Sequence, residues 1–388
     1  MRILRYLMAS LYAVAVLAAT SCAPSPEKAA QKEFEEIMLR NKATGLAVVA
    51  VKDGQIVYDR TFGYRDLERQ EPWEKDDVLR IASISKSFTA TAILQLVEQG
   101  KLSLDADVSD LMGFTIRNPH HPEVPITVKM LLSHTSSMSD ANGYFSFDYL
   151  HREKSPTWQK AWNKYKPGTG YQYCNLGFNT LGAIIEKVSG VRFDKYISEN
   201  ILKPLGVYAN HNVCELDSTR FVKIYTYRAK DSTHRWTRTA YDLDKKALDE
   251  YTMGYSTAIF SPTGGLKISA SDLAKVMQMH MNLGSKDGVK ILESKSSELM
   301  QSALTLTDHP DEAYGMAIIR TNDLLKGVRL VGHDGLALGA YTAMYWHPVE
   351  NYGFVVMTNG CTGASDNHIF ANILCESVEC LYKHFIEK

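Results

Sequence analysis

Cysteine is scarce in this chain, its charge is nearly balanced, and it holds no apolar run long enough to cross a membrane. The 6 cysteines include no CxxC pair, so no zinc site or other metal centre is expected. Cys375 and Cys380 are spaced on what reads as a helix so that their side chains diverge, which excludes a bridge between them. Lys plus Arg number 43 against 44 Asp plus Glu, for a net charge of -1, and no long basic run occurs. Nucleic acid is therefore not an expected partner. There is no internal repeat and no low-complexity tract.

The longest apolar run, Leu7 to Ala19, falls short of the roughly 20 residues needed to span a bilayer. It comes after Arg2 and Arg5 and precedes small residues up to Cys22, the layout of a secretory signal over residues 1–22. Ala19-Thr20-Ser21-Cys22 resembles a bacterial lipobox, which would lipidate Cys22 and tie the chain to a membrane. The alternative is an ordinary signal cut near Ser21. Both readings predict an exported protein, either periplasmic or anchored in the bacterial envelope as a lipoprotein.

The chain beyond Cys22 exceeds the roughly 250 to 300 residues at which a single core stops growing, so two lobes are expected. Residues 23–30 read as a tether and 31–388 as the folded domain. Ala30, Phe34, Ile37 and Met38 mark one face of a first helix. Gly45 to Val51, the turn Asp53-Gly54 and Gln55 to Phe62 predict an antiparallel hairpin. From Ser83 to Gln99 the apolar positions keep a helical period, stopped by Gly100, and Leu181, Ile184, Ile185 and Val188 predict another helix ending at Gly190. Val328 to Val331, Gly339 to Trp346 and Tyr352 to Thr358 read as strands, with Asp334-Gly335 as a separator, before a closing helix over Phe370 to Phe385. The expected fold is α+β: an antiparallel sheet sandwiched by terminal helices, with a mostly helical lobe over about 100–262 inserted.

Three short patterns carry chemistry. Ser83 and Lys86 stand three apart across a first helical turn, on one face, so Lys86 can take or share the Ser83 proton. The Ser83 N–H can also donate to an oxyanion at that helix start. A serine there can equally be a plain N-cap, with Lys86 a solvated helix residue. Tyr173 and Asn175 lie two apart on a segment expected to be extended, pointing into one cleft. An ammonium beside Tyr173 would lower its phenol pKa and suit it to proton transfer, while Asn175 could bond Lys86 or a substrate amide. His333, with Gly335 and Leu336 after it, offers a cation for a substrate carboxylate or a bond to Tyr173; Gly335 would let substrate backbone approach, and the Leu336 N–H would be a second oxyanion donor.

Taken together, the order Ser-x-x-Lys, Tyr-x-Asn, His-x-Gly resembles the serine β-lactamase and penicillin-recognising superfamily, on its class C side. "ITVKMLLSHT" at Ile126 to Thr135, Pro204-Leu205-Gly206 and "GGLKISASDL" at Gly264 to Leu273 extend the likeness from about Thr44 to Thr358. The resemblance implies Ser83 as acylated nucleophile, Lys86 and Tyr173 as the proton-transfer pair, Asn175, His333 and Gly335 as substrate contacts, and Ser83 and Leu336 as backbone oxyanion donors. It implies no metal or cofactor. Which of Lys86 and Tyr173 takes the serine proton stays open, because coupled groups share their titration.

Two departures stand out. His333 replaces the lysine of true β-lactamases, and Ser136-Ser137 stands where relatives often read Ser-Gly. The histidine form is common among esterases, D-amino-acid peptidases and peptidoglycan-related members. The expected activity is therefore hydrolysis of an ester, amide or D-amino-acid peptide bond, on a small-molecule, peptide or muropeptide substrate. The alternatives are a true β-lactamase or DD-carboxypeptidase, and a non-catalytic muropeptide-binding lipoprotein. Val207 to Thr263, rich in aromatic and charged residues, reads as a lid or wall over the cleft or as ordinary surface loop.

Overall fold

The computed structural model describes residues 25–387, so the leader and Cys22 lie outside the described residues. Helix α1 (Pro26–Asn41) begins earlier than the sequence suggests. The Ser25 hydroxyl accepts from the Lys28 N–H at 3.4 Å, and Pro26 suits a first turn whose N–H groups have no partner anyway. Most of the expected tether over 23–30 is therefore helix.

Strands β1 (Gly45–Lys52) and β2 (Gln55–Asp66) form the expected hairpin about Asp53 and Gly54, with β3 (Glu71–Pro72) beside them. Near the C-terminus run β4 (Thr305–Leu306), β5 (Ala313–Tyr314), β6 (Ile319–Thr321), β7 (Leu330–Ala337), β8 (Ala340–Trp346) and β9 (Tyr352–Thr358). They assemble into one nine-stranded antiparallel sheet in the order β4-β5-β6-β7-β8-β9-β1-β2-β3. Strand β9 pairs with β1, so strands from the two ends of the chain meet inside one sheet. Asp334-Gly335 is not a turn: both residues lie within β7, and the chain reverses at Leu338-Gly339 instead.

Alternation along the central strands separates two cores. Leu46, Val48, Ala50, Phe354 and Val356 pack against Phe34 and Ile37 of α1 and against Ile373, Leu374 and Val378 of the last helix, Asn372–Leu381. Ala47, Val49, Val51, Val355 and Met357 face the other way, onto Leu273, Val276 and Met277 of the helix Ala270–Met281. The terminal helices thus share one face rather than sandwiching the sheet, and the opposite face is covered by helices from the middle of the chain. There the buried helix Ser85–Glu98, α2, packs with the helix Asn175–Ser189, α3, which Gly190 ends in a left-handed conformation at φ 70°.

The segment 207–263 contains a hairpin, Tyr225–Arg228 with Thr233–Trp236, that docks on the β7–β8 turn. The hydroxyls of Thr226 and Thr237 both donate to the Leu338 carbonyl. All five described cysteines are free thiols, Cys375 and Cys380 included.

Candidate active site

Ser83 sits in a single 3-10 turn, Ala82–Ile84, that runs directly into α2. It makes no capping bond, so the N-cap alternative does not describe it. Ala82 just before it holds φ at 48°, a left-handed conformation that a residue with a side chain adopts only under constraint. The constraint comes from the sheet. Thr342 Oγ1 on β8 donates to the Ile81 carbonyl at 3.0 Å, and a Cβ built at Gly335 would lie 2.2 Å from that same oxygen. Glycine at 335 lets β7 approach the protein's own Ser83 turn. This contact brings Ser83 and Leu336, the two expected oxyanion positions, into the lining of one cleft.

Lys86 is fully buried, and its Nζ donates to Ser83 Oγ at 3.1 Å and to the Thr263 carbonyl at 2.9 Å. Loss of water lowers its pKa to about 7, against weaker opposing fields from Asp140, Asp334 and the Cys174 thiol. Near neutrality a large fraction of Lys86 is thus uncharged and can accept a proton from the hydroxyl it touches. The ammonium lies 4.7 Å from the centre of the Tyr173 ring and 5.7 Å from that of Phe178.

Tyr173 differs from the sequence expectation. Burial pushes its phenol well above the ordinary value, and the Ser83 hydroxyl beside it only partly opposes that rise. It is a protonated phenol, able to donate. His333 is likewise neither a cation nor a partner of Tyr173. Burial and the Lys86 charge push its pKa down to about 3. Its Nδ1 donates to the Asp334 carbonyl at 2.6 Å, which leaves Nε2 to accept from the Tyr314 hydroxyl at 3.2 Å.

Asn175 is not on an extended segment but is the first residue of α3, and it does not bond Lys86. Its Nδ2 donates to Asp140 Oδ2 at 2.8 Å, and its Oδ1 accepts from Thr263 Oγ1 at 2.5 Å. Asp140 also takes the backbone N–H groups of Asn175 and Leu176, both at 2.9 Å, and so caps α3 from a distant loop. A relay runs from Asp140 through Asn175 and Thr263 to Lys86. Sequence reasoning missed Asp140 and Thr263; the "GGLKISASDL" block beginning beside Thr263 was the nearest signal.

The cleft holds about 490 Å³ and is lined by Ser83, Tyr171, Tyr173, Asn175, His333 and Leu336, together with Asp308, Glu312 and Asp334. No aromatic residue from Val207 to Thr263 is among those that line it. Ser137, where relatives read glycine, does adopt a left-handed φ of 62°, and its hydroxyl accepts from Asn118 Nδ2 at 2.8 Å. That bond helps hold a serine in a conformation glycine would take freely.

The chain is 26% identical over 335 residues to protein flp of Staphylococcus aureus strain MRSA252, an alignment covering 84% of this chain and 61% of that protein. The octameric penicillin-binding protein homologue of Pyrococcus abyssi superposes with a TM-score of 0.72 at 27% identity, over 92% of this chain and 77% of that one. D-amino acid amidase of Ochrobactrum anthropi SV3, solved with D-phenylalanine, superposes with a TM-score of 0.71 over 92% of this chain and 99% of that one; at 20% identity this likeness is one of fold. The family model described as Beta-lactamase matches residues 30–374, and the chain belongs to that family, within the serine β-lactamase and penicillin-binding-protein-like superfamily.

Proposed function

We propose that the protein is a serine hydrolase that forms an acyl-enzyme at Ser83 and cleaves an ester, amide or D-amino-acid peptide bond in the bacterial envelope. The observation that carries this reading is the fully buried Lys86, its pKa near 7, with Nζ 3.1 Å from Ser83 Oγ. A lysine that is neutral at working pH is a base, and a serine hydroxyl in contact with it is a nucleophile.

In the first step Ser83 Oγ attacks the acyl carbon and its proton passes to Lys86. The oxyanion is met by the backbone N–H groups of Ser83 and Leu336. Tyr173, held protonated, donates to the departing oxygen or nitrogen and is reprotonated from Lys86. Water then attacks the acyl-enzyme, with the same pair taking its proton and returning one to Ser83. His333 cannot serve as the charged anchor that a β-lactam carboxylate needs, because it is neutral and both ring nitrogens are engaged within the protein. This disfavours the β-lactamase and DD-carboxypeptidase alternatives. A purely binding role leaves the Lys86–Ser83 contact unexplained.

The test is a panel of p-nitrophenyl esters, aminoacyl anilides and nitrocefin, with fluorophosphonate labelling, on wild type and Ser83→Ala. At least one neutral ester is turned over by wild type, and the variant loses roughly 10³-fold or more in kcat together with labelling. Full turnover by Ser83→Ala refutes the mechanism.

A further inference from the structure

The first and last helices meet away from the cleft, and the side chains between them form a set of metal-ligand type. Glu33 of α1 faces the helix Asn372–Leu381 and the wider turn Tyr382–Ile386 that continues it. Cys380 and His384 are four apart there, on one face. A carboxylate oxygen of Glu33, the Cys380 sulfur and a His384 ring nitrogen lie within 4.8 Å of one another. None of the three residues lines the Ser83 cleft.

His384 Nε2 and Lys383 Nζ both donate to Glu33 Oε2, at 2.8 and 2.9 Å, whereas Oε1 has no hydrogen-bond partner among the described residues. Cys380 is buried, and its thiol makes one long contact, 3.9 Å to the Ala30 carbonyl. An ion-pair network between the helices accounts for Lys383 and one Glu33 oxygen; it uses neither the thiol nor the other oxygen. Thiolate, imidazole and carboxylate together are a donor set that suits zinc, held tetrahedrally at about 2.3 Å from sulfur and about 2.0–2.2 Å from nitrogen or oxygen. Ligand atoms around such an ion stand roughly 3.3–3.6 Å apart. The observed cluster therefore needs shifts of about 1 Å, within the reach of side-chain rotation. Glu33 and His384 are partly exposed, which gives an ion a way in from water, and the buried thiol closes the inner side.

We propose that Glu33, Cys380 and His384 bind Zn²⁺, with water as fourth ligand, and that the ion staples α1 to the last helix. Binding sends the thiol proton to solvent, takes up a ring-nitrogen lone pair of neutral His384 and frees Lys383 from Glu33. Burial raises the Cys380 thiol to about 12, so affinity increases with pH as that proton becomes easier to lose. The expectation of no metal centre rested on the lack of a CxxC pair; donors brought together from opposite ends of the chain leave no such spacing.

The experiment uses the metal-stripped full chain carrying Cys214→Ser, which removes the one exposed thiol among the described residues. Co²⁺ added as a probe gives a near-ultraviolet thiolate-to-cobalt band and the visible bands of a tetrahedral ion, and Zn²⁺ displaces it. Cys380→Ser loses the near-ultraviolet band. Glu33→Gln and His384→Ala each weaken Zn²⁺ binding, measured against a chromogenic chelator, by more than the roughly 10-fold that loss of a mere ligand-orienting partner costs. Lys383→Ala separates a zinc site from a plain ion-pair network: without the competing ammonium Zn²⁺ binds more tightly and still raises the melting temperature, whereas an ion-pair network would lose stability and not respond to zinc. Absence of the cobalt–thiolate band from the Cys214→Ser protein, or its survival in Cys380→Ser, overturns the proposal. Should Cys380→Ser fail to fold, unchanged Zn²⁺ affinity in both His384→Ala and Glu33→Gln overturns it instead.

Discussion

The two sides of the Ser83 cleft are built on opposite principles. On the helical side a chain of hydrogen bonds positions the nucleophile: Asp140 holds Asn175, Asn175 holds Thr263, and the Thr263 carbonyl holds Lys86 against Ser83. On the side of β5 and β7, Glu312 and Asp334 are left with one hydroxyl partner each. A connected network fixes geometry, which a reaction needs in advance, and the second wall has no such network. The two walls nevertheless meet at Ser83, where Gly335 of β7 packs on the turn that carries it and the field of Asp334 reaches Lys86.

Four experiments test that contrast, beginning with the largest effect. Gly335→Ala drives a methyl group into the Ile81 carbonyl, shifting the turn that carries Ser83. A displacement of about 1 Å at a nucleophile costs roughly 100-fold. A fall in kcat of that order on a neutral ester is expected, with near-native far-ultraviolet circular dichroism retained. Activity at the wild-type level would mean that the Ser83 turn is not set by β7.

Next, Asp140→Ala removes the acceptor for two backbone N–H groups and the Asn175 amide. The lost cap and the unpaired donors should cost about 2–3 kcal/mol in urea unfolding. A lower kcat on a neutral ester with little change in KM would mark this residue as belonging to the chemical wall.

The third is pH. Lys86 acts as base when neutral, so kcat/KM on a neutral ester rises with pH through a limb near its value of about 7 and levels off above it. Asp334 stabilises the ammonium, and removing its charge in Asp334→Asn makes deprotonation easier. The limb then moves to lower pH, by a smaller step than burial itself imposes, since burial is the larger influence on Lys86. A limb that stays in place or moves to higher pH would show that Asp334 does not act on Lys86.

The smallest effect is expected on the outer hairpin. Thr226→Ala, which removes one of two hydroxyls on the Leu338 carbonyl, should change kcat/KM by less than about threefold. A large loss would place the 207–263 segment back over the cleft.

Legibility differed from one feature to another for identifiable reasons. The β1–β2 hairpin, β8, β9 and the helices ending near Gly100 and Gly190 were readable because their periods and stop residues are local. Strands β4, β5 and β6 were missed, since two or three residues carry no period and exist only because β7 offers an edge to pair with. Asp334-Gly335 looked like a turn from composition alone; the glycine serves close packing within a strand. Asp140 carried no local sign of its role, because the groups it caps lie 35 and 36 positions along the chain.

Amino-acid order alone settled the family blocks and the pairing of Ser83 with Lys86, because the two meet through a spacing that one helical turn dictates. Ionisation states could not be read that way. Lys86 is lowered, Tyr173 is raised and His333 is neutral because of burial by residues far apart in the chain. The same holds for Glu312 and Asp334, whose carboxyls are raised by a burial that is set only when the sheet and the helical lobe close around the cleft.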